Sequence, residues 1–285
     1  MSYFKRFKRL LAATVAGVGA LAIGVSSIAL AQQQLTLTGS TTVLPIAQRA
    51  AEVFMQKNRD ANISVRGGGS GNGIAALIDG TTDIANASRF IEMSEVQKAV
   101  SKGIYPVPHK IALDGIAIVV HPSNSIRRLT IEQIKDIYTG KINNWKEVGG
   151  PDRKIVVVSR DTSSGTYEVF GELVLKGAKV RADALMQASN GAVASTVAGT
   201  PGAIGYVGIG YLNNKLKDLE VSKDGHEWVK PSNATVISGD YPIARALFMF
   251  TNGWPTGLAA KFINFIQSPE GQKLVSEAGF VPLHE

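Results

Sequence analysis

Short apolar alternations and helical apolar stripes take turns along most of this chain. "QLTLTG", from Gln34, alternates as a half-buried strand does, and "TTVLPIAQRAAEVFMQKN" follows with apolar residues at helical spacing. "ANISVRG" predicts a second strand, "GNGIAALIDG" a short helix closed by glycine, and "DIANAS" a third strand. "SEVQKAVSKG" predicts a helix opened by a capping serine and closed by glycine. "YPVPHKIALDGIAIVVHP" is mostly extended, and "TIEQIKDIYTGKINNW" has a threonine cap and a helical body. "KIVVVSR" predicts a strand, "TYEVFGELVL" a helix, "GAIGYVGIGYL" a Gly-rich β segment, and "DYPIARALFMFTN" another extended run. "TGLAAKFINFIQSPEGQKLVSEAG" gives two final helices. Strand–helix alternation predicts an α/β fold with mainly parallel sheets. In such sheets ligands sit beyond the carboxyl ends of strands.

Three of the predicted strand-to-helix junctions are polar and small. They are "TGSTTV" (Thr38 to Val43), "RGGGSGNG" (Arg66 to Gly73) and "RDTSSGT" (Arg160 to Thr166). The first turn of a helix carries backbone N–H groups with no internal partner, at the positive end of the dipole. Glycine lets a ligand approach that backbone, and Ser and Thr add hydroxyl donors. Each junction alone also reads as a capping sequence or a flexible turn. All three together describe cradles for a tetrahedral oxyanion.

The N-terminus breaks the alternation. Lys5, Arg6, Lys8 and Arg9 precede an apolar run from Leu10 to Ile28, and Ala29-Leu30-Ala31 has the A-x-A form. This predicts a secretory signal cut after Ala31. The 285-residue chain has a net charge of +7; without the signal, 26 basic face 23 acidic residues, a net of +3. That mild balance suits an anionic ligand, and no dense basic stripe with interleaved aromatics marks a nucleic-acid surface. The chain has no cysteine, which excludes disulfides, thiolate metal sites and cysteine nucleophiles. The four histidines (His109, His121, His226, His284) are scattered, and no metal-ligand spacing or nucleophile with its base is visible. The sequence predicts a binding protein with no cofactor and no enzymatic chemistry.

"LTGSTTVLPIA", "GGGSGNGIAAL", "DIANASR", "LDGIAIVVHP", "IYTGKINNWKEVGG", "SRDTSSGTYEVF" and "GAIGYV" occur in this order. The chain resembles the PstS family, the phosphate-binding proteins of high-affinity phosphate ABC transporters, over essentially its whole mature length. The resemblance implies a type II periplasmic binding protein: two α/β lobes joined by two crossover strands, with the ligand cleft between them. It implies a signal peptide over 1–31, a first lobe from 32–114 and 245–285, and a second lobe from 115–244. The crossings fall near Ala112 to Ala117 and Tyr241 to Leu247.

Carried over residue by residue, the resemblance makes Ser40, Thr41 and Thr42 donors in the first loop, Ser70 the donor of the glycine loop, and Ser164, Gly165 and Thr166 those of "SGT". Arg160 pairs with the anion. Well-known members have "ASD" where this chain has Ala87-Ser88-Arg89, and an aspartate where it has Thr162. Arg89 is then expected to supply a second positive charge beside Ser88. A carboxylate facing the ligand can accept the proton of phosphate and repel unprotonated sulfate. Asp161 and Asp114 are the candidates for that acceptor. The expected partners are inorganic phosphate and a membrane permease; the expected state is a periplasmic monomer. Two readings stay open: another tetrahedral oxyanion (sulfate, molybdate or tungstate), and a secreted phosphate sensor or adhesin on the same fold.

Overall fold

The computed structural model describes residues 32–284 of the chain. The expected signal segment and its cleavage site lie outside these residues. Strand β1 (Gln33–Gly39) buries Leu35 and Leu37 from alternate positions, and pairs in parallel with β2 (Ala61–Gly67) and β3 (Ile84–Ala87). Helix α1 (Leu44–Lys57) lays Ile46, Ala47, Ala50, Ala51 and Phe54 against them, one stripe at helical spacing. On the opposite face, α2 (Ser70–Ile78) and α3 (Met93–Ser101) enclose Ile74, Leu77 and Ala99 with Phe250. The cap of α3 is Glu92, not the expected serine. Ser94 lies inside the first turn, while Glu92 and Glu95 exchange backbone contacts as a capping box.

Strand β4 (Pro106–Val120) is 15 residues long and belongs to both halves of the molecule. Its first part pairs antiparallel with β11 (Ala244–Asn252), and its end, Ile116 to Val120, pairs with β8 (Ala203–Gly208). Parallel pairs therefore lie within each half, and antiparallel pairs where the chain crosses and returns. The expected mainly parallel sheet is a mixed one, because a crossing strand and its returning partner must run in opposite directions. Core membership changes along both strands. Ile111 and Ala112 pack with Leu37 and Phe262, whereas Ile116 packs with Val157 and Tyr206; Leu247 belongs to the first core, Ile243 to the second.

The second half repeats the strand-to-helix logic. Strand β5 (Arg128–Thr130) leads into α4 (Ile131–Thr139), whose cap Thr130 accepts from the Gln133 N–H at 3.1 Å. Strand β6 (Val156–Arg160) leads into α5 (Gly165–Phe170), and the chain continues in a wider π-type turn, Gly171–Leu175. Strand β7 (Leu185–Gln187) and α6 (Asn190–Gly199) follow, with Ser189 as cap. Short strands β9 (Lys217–Asp218) and β10 (Glu220–Ser222) and helix α7 (Asn233–Ser238) lead back to β11, and α8 (Gly257–Gln267) and α9 (Pro269–Glu277) close the first half. In the "INNW" segment Trp145 is fully buried and its indole N–H donates to the Gly202 carbonyl at 2.9 Å, so this motif holds the fold.

One aromatic stack holds the carboxyl end of β6. The rings of Phe170 and Tyr206 lie parallel, 4.0 Å apart at 8°. The Tyr206 hydroxyl accepts the Arg160 N–H at 3.1 Å and bonds Ser159 Oγ at 2.9 Å. Burial pushes the Tyr206 phenol up to about 12, so it stays protonated and keeps both roles at neutral pH.

Candidate functional site

Five strand ends converge where the two halves meet: those of β1, β2 and β3 on one side, β6 and β7 on the other. Ser40, Thr41 and Thr42 follow β1; the Ser40 Oγ accepts the N–H groups of Thr42 and Val43 at 3.1 and 3.3 Å and folds the turn. Ser70 opens α2, and its Oγ takes the Ser88 N–H at 3.0 Å and meets Ser88 Oγ at 3.3 Å. Ser164, the cap of α5, accepts the Tyr167 N–H at 3.3 Å, so its own proton is available. All of these hydroxyls are buried. Gly165 lies between the halves, where a Cβ would stand 2.5 Å from Ser70 Oγ and 3.0 Å from Ser88 Oγ. Only glycine allows that approach.

The halves touch through polar groups. Thr42 Oγ1 lies 3.1 Å from Thr166 Oγ1, and the Gly71 N–H donates to the Ser163 carbonyl at 3.0 Å. Gly69, with φ 97°, has no room for a Cβ against Ser163.

Arg160 is 1% exposed. Its Nε and Nη2 donate to the carbonyls of Gln187 and Ala188 at 3.1 and 3.2 Å, and Nη1 has no hydrogen-bond partner among the described residues. Neither does any described carboxylate lie within ion-pair distance of it. Burial pulls its pKa below the ordinary value against the opposing pull of Tyr206 and Asp161, and nearby Arg245 adds to the lowering. A guanidinium buried in this way is stabilised by an anion.

The other charged residues are engaged differently. Arg89 bonds both Glu95 oxygens, at 2.8 and 2.7 Å, and pairs with Glu168 across the gap between the halves. Asp161 is half-buried, and its Oδ1 accepts the Ser163 N–H at 2.9 Å and the Ser163 hydroxyl at 2.5 Å. Asp114 on β4 is fully buried; Oδ2 takes Nη2 and Nε of Arg245 at 2.8 and 3.1 Å, and Oδ1 the Ile209 N–H at 3.0 Å. Burial pushes the Asp114 carboxyl up against the pull of Arg245.

Residues 24–270 match the model of a PBP superfamily domain. The phosphate-binding protein PstS of Bacillus subtilis is 39% identical over 254 residues, which cover 89% of this chain and 82% of that protein. The chain belongs to the PstS family of phosphate-binding proteins. Its fold is that of a type II periplasmic binding protein, two α/β lobes joined by two crossover strands with the cleft between. Among solved structures, a Clostridium perfringens phosphate ABC transporter substrate-binding protein with bound phosphate is similar, with a TM-score of 0.80 and 36% identity, over 88% of this chain and all 100% of that one. A Vibrio cholerae ABC-type phosphate transport receptor gives a TM-score of 0.70 and 32% identity, over 88% of this chain and 100% of that one.

In this PstS-family chain two residues join the site that its sequence motifs do not point to. Asn190, at the start of α6, donates from Nδ2 to Thr41 Oγ1 at 3.1 Å and to Thr42 Oγ1 at 3.0 Å. Arg245, on β11, donates from Nη2 to Thr42 Oγ1 at 3.2 Å and Thr166 Oγ1 at 3.0 Å. Ser189 before "NGAVASTVAG" is a readable cap, and "YPIARAL" places one charged residue in an alternating strand; these were the available signals.

Proposed function

We propose that this protein captures inorganic phosphate between its lobes in the periplasm and delivers it to the membrane permease of an ABC transporter. The observation that carries this reading is Arg160, a buried guanidinium with one unpartnered nitrogen at a junction of buried hydroxyls. Such a set stabilises an oxyanion by charge-assisted hydrogen bonds and rejects neutral ligands. The PstS relatives and the phosphate carried by the Clostridium perfringens structure support phosphate as that oxyanion.

In this reading Thr41, Ser70, Ser88, Arg160, Ser164 and Thr166 donate to the anion, with Gly165 giving it access. Ser40 and Thr42 hold the first loop, and Arg89 closes the rim. Of the two carboxylates, Asp114 has both oxygens engaged, whereas Asp161 Oδ2 has no partner among the described residues. Asp161 is therefore assigned the phosphate proton. The lobes comprise 32–114 with 245–285, and 115–244; the protein works as a monomer, because closure needs free lobes, after its signal peptide is removed behind Ala31.

Calorimetric titration of the chain from Gln32, stripped of ligand, tests this reading. One-to-one phosphate binding with no heat from sulfate supports it, and Asp161→Asn then narrows the discrimination. Equal binding of both anions, or of neither, overturns it in favour of molybdate, tungstate or a role without transport.

A further inference from the structure

Hydrogen bonds around three threonines limit where their protons can point. A hydroxyl has one proton and two lone pairs. Asn190 Oδ1 accepts the Gly208 N–H at 3.1 Å, which settles the orientation of the amide and turns Nδ2 to the threonines. Both Nδ2 protons are then used, one on Thr41 Oγ1 and one on Thr42 Oγ1. Arg245 Nη2 has two protons; one goes to Asp114 Oδ2, and the other is shared between Thr42 Oγ1 and Thr166 Oγ1. Thr42 and Thr166 lie 3.1 Å apart and bring two protons of their own; one links the two hydroxyls, and the other is left to point away from the network. Thr41 accepts a second bond from the Asn190 backbone N–H at 3.4 Å, and its proton is released in the same way.

We propose that Asn190 and Arg245 are positioning residues that set the polarity of the cradle. By filling the lone pairs behind it, they make Thr41 an obligatory donor to a tetrahedral oxyanion and release one proton of the Thr42–Thr166 pair, which spans the lobes, towards the same anion. The pair on the crossover strands is suited to this: Asp114 holds Arg245 at 2.8 Å, at directly paired positions of β4 and β11. The network also spans both lobes, so the donors are aligned only when the lobes meet. This inference rests on the phosphate reading and adds the means by which hydroxyls, which can donate or accept, are committed to donating.

The test is phosphate affinity of Asn190→Asp relative to the unaltered protein at pH 8 and pH 5, with neutron diffraction of the deuterated phosphate complex. A carboxylate at that position accepts where the amide donates, so the threonine protons turn back towards it. The charged groups around it are Arg245 on β11, Asp114 on β4, Arg160 on β6 and the Tyr211 hydroxyl, which donates to the Thr41 carbonyl. The expected deficit is about 100-fold at pH 8, narrowing to about tenfold at pH 5, where the introduced carboxyl is protonated and donates again. In the neutron map the Thr41 deuteron and one deuteron of the Thr42–Thr166 pair point at phosphate, and the other deuteron of the pair lies between the two oxygens. A deficit that is absent or equal at both pH values, or a Thr41 deuteron pointing away from phosphate, overturns the inference. If the variant does not fold, the neutron map of the unaltered protein decides alone. Should the unaltered protein bind no phosphate, the functional reading itself fails, a result separate from either of these.

Discussion

Arg89, two residues beyond the end of β3, and Arg160, at the end of β6, are both buried and face opposite electrostatic conditions. Arg89 sits between Glu95 and Glu168. Burial pulls its pKa down, but the Glu95 hydrogen bond and the Glu168 charge outweigh that and hold it above its ordinary value. Arg160 is bound only by carbonyls, and its pKa falls. The same residue type thus serves two purposes, and the partners decide which. An arginine already neutralised ties the lobes together; one held by dipoles alone is reserved for an anion.

Replacing each arginine separates these roles. Arg160→Met removes the charge meant for the ligand, and phosphate affinity falls by about 100-fold or more in calorimetry, as loss of one partner of a buried charge pair does. Thermal stability in the absence of phosphate holds or rises, because an uncompensated buried charge is gone. Gly165→Ala pushes a methyl group onto the Ser70 and Ser88 hydroxyls and costs about tenfold to 100-fold in affinity, with a melting temperature close to the original. Arg89→Met costs at most about tenfold in affinity, since its charge is already taken up by Glu95 and Glu168 and not held for the ligand. If it matched Arg160→Met, the two arginines would have equal roles and the comparison would collapse.

The smallest effect is a pH dependence of stability. Burial, opposed by Arg89 and reinforced by Glu92 and Glu95, pushes the Glu168 carboxyl up to about 7 from the ordinary 4.5. The folded protein then binds more protons than the unfolded chain between those values. Glu168 therefore costs stability as pH rises from about 4.5 through about 7. Glu168→Gln, which keeps the uncharged shape, gains stability relative to the unaltered protein at pH 7.5 and not at pH 4.5, in thermal melts at both pH values. A gain of equal size at both would mean that Glu168 does not titrate in this window.

Much of this arrangement was legible in the sequence because it is local. The β–α alternation, the cap at Thr130 and the three polar junctions each depend on residues within one turn of one another. The rest depends on distant partners. Arg89 reads as a charge beside Ser88, and nothing nearby announces Glu168, which comes from the other lobe. Asn190 opens a helix of Gly, Ala, Val, Ser and Thr without an apolar stripe, so neither the helix nor its first residue stood out. Arg245 shares the buried face of β11 with Leu247 and Met249, where the alternation leads one to expect an apolar residue. Its burial follows from Asp114, directly opposite on β4.

The most direct test of a buried donor cradle centred on Arg160 is a crystal structure of the protein grown with phosphate. One anion is expected between the lobes, with an oxygen within hydrogen-bond distance of Arg160 Nη1 and others on Thr41, Ser164 and the Thr42–Thr166 pair, and with Arg89 still on its two glutamates. An anion seated on Arg89, or on the exposed cluster of Arg127, Arg128, Lys217 and Lys230 with the cleft unoccupied, would contradict it.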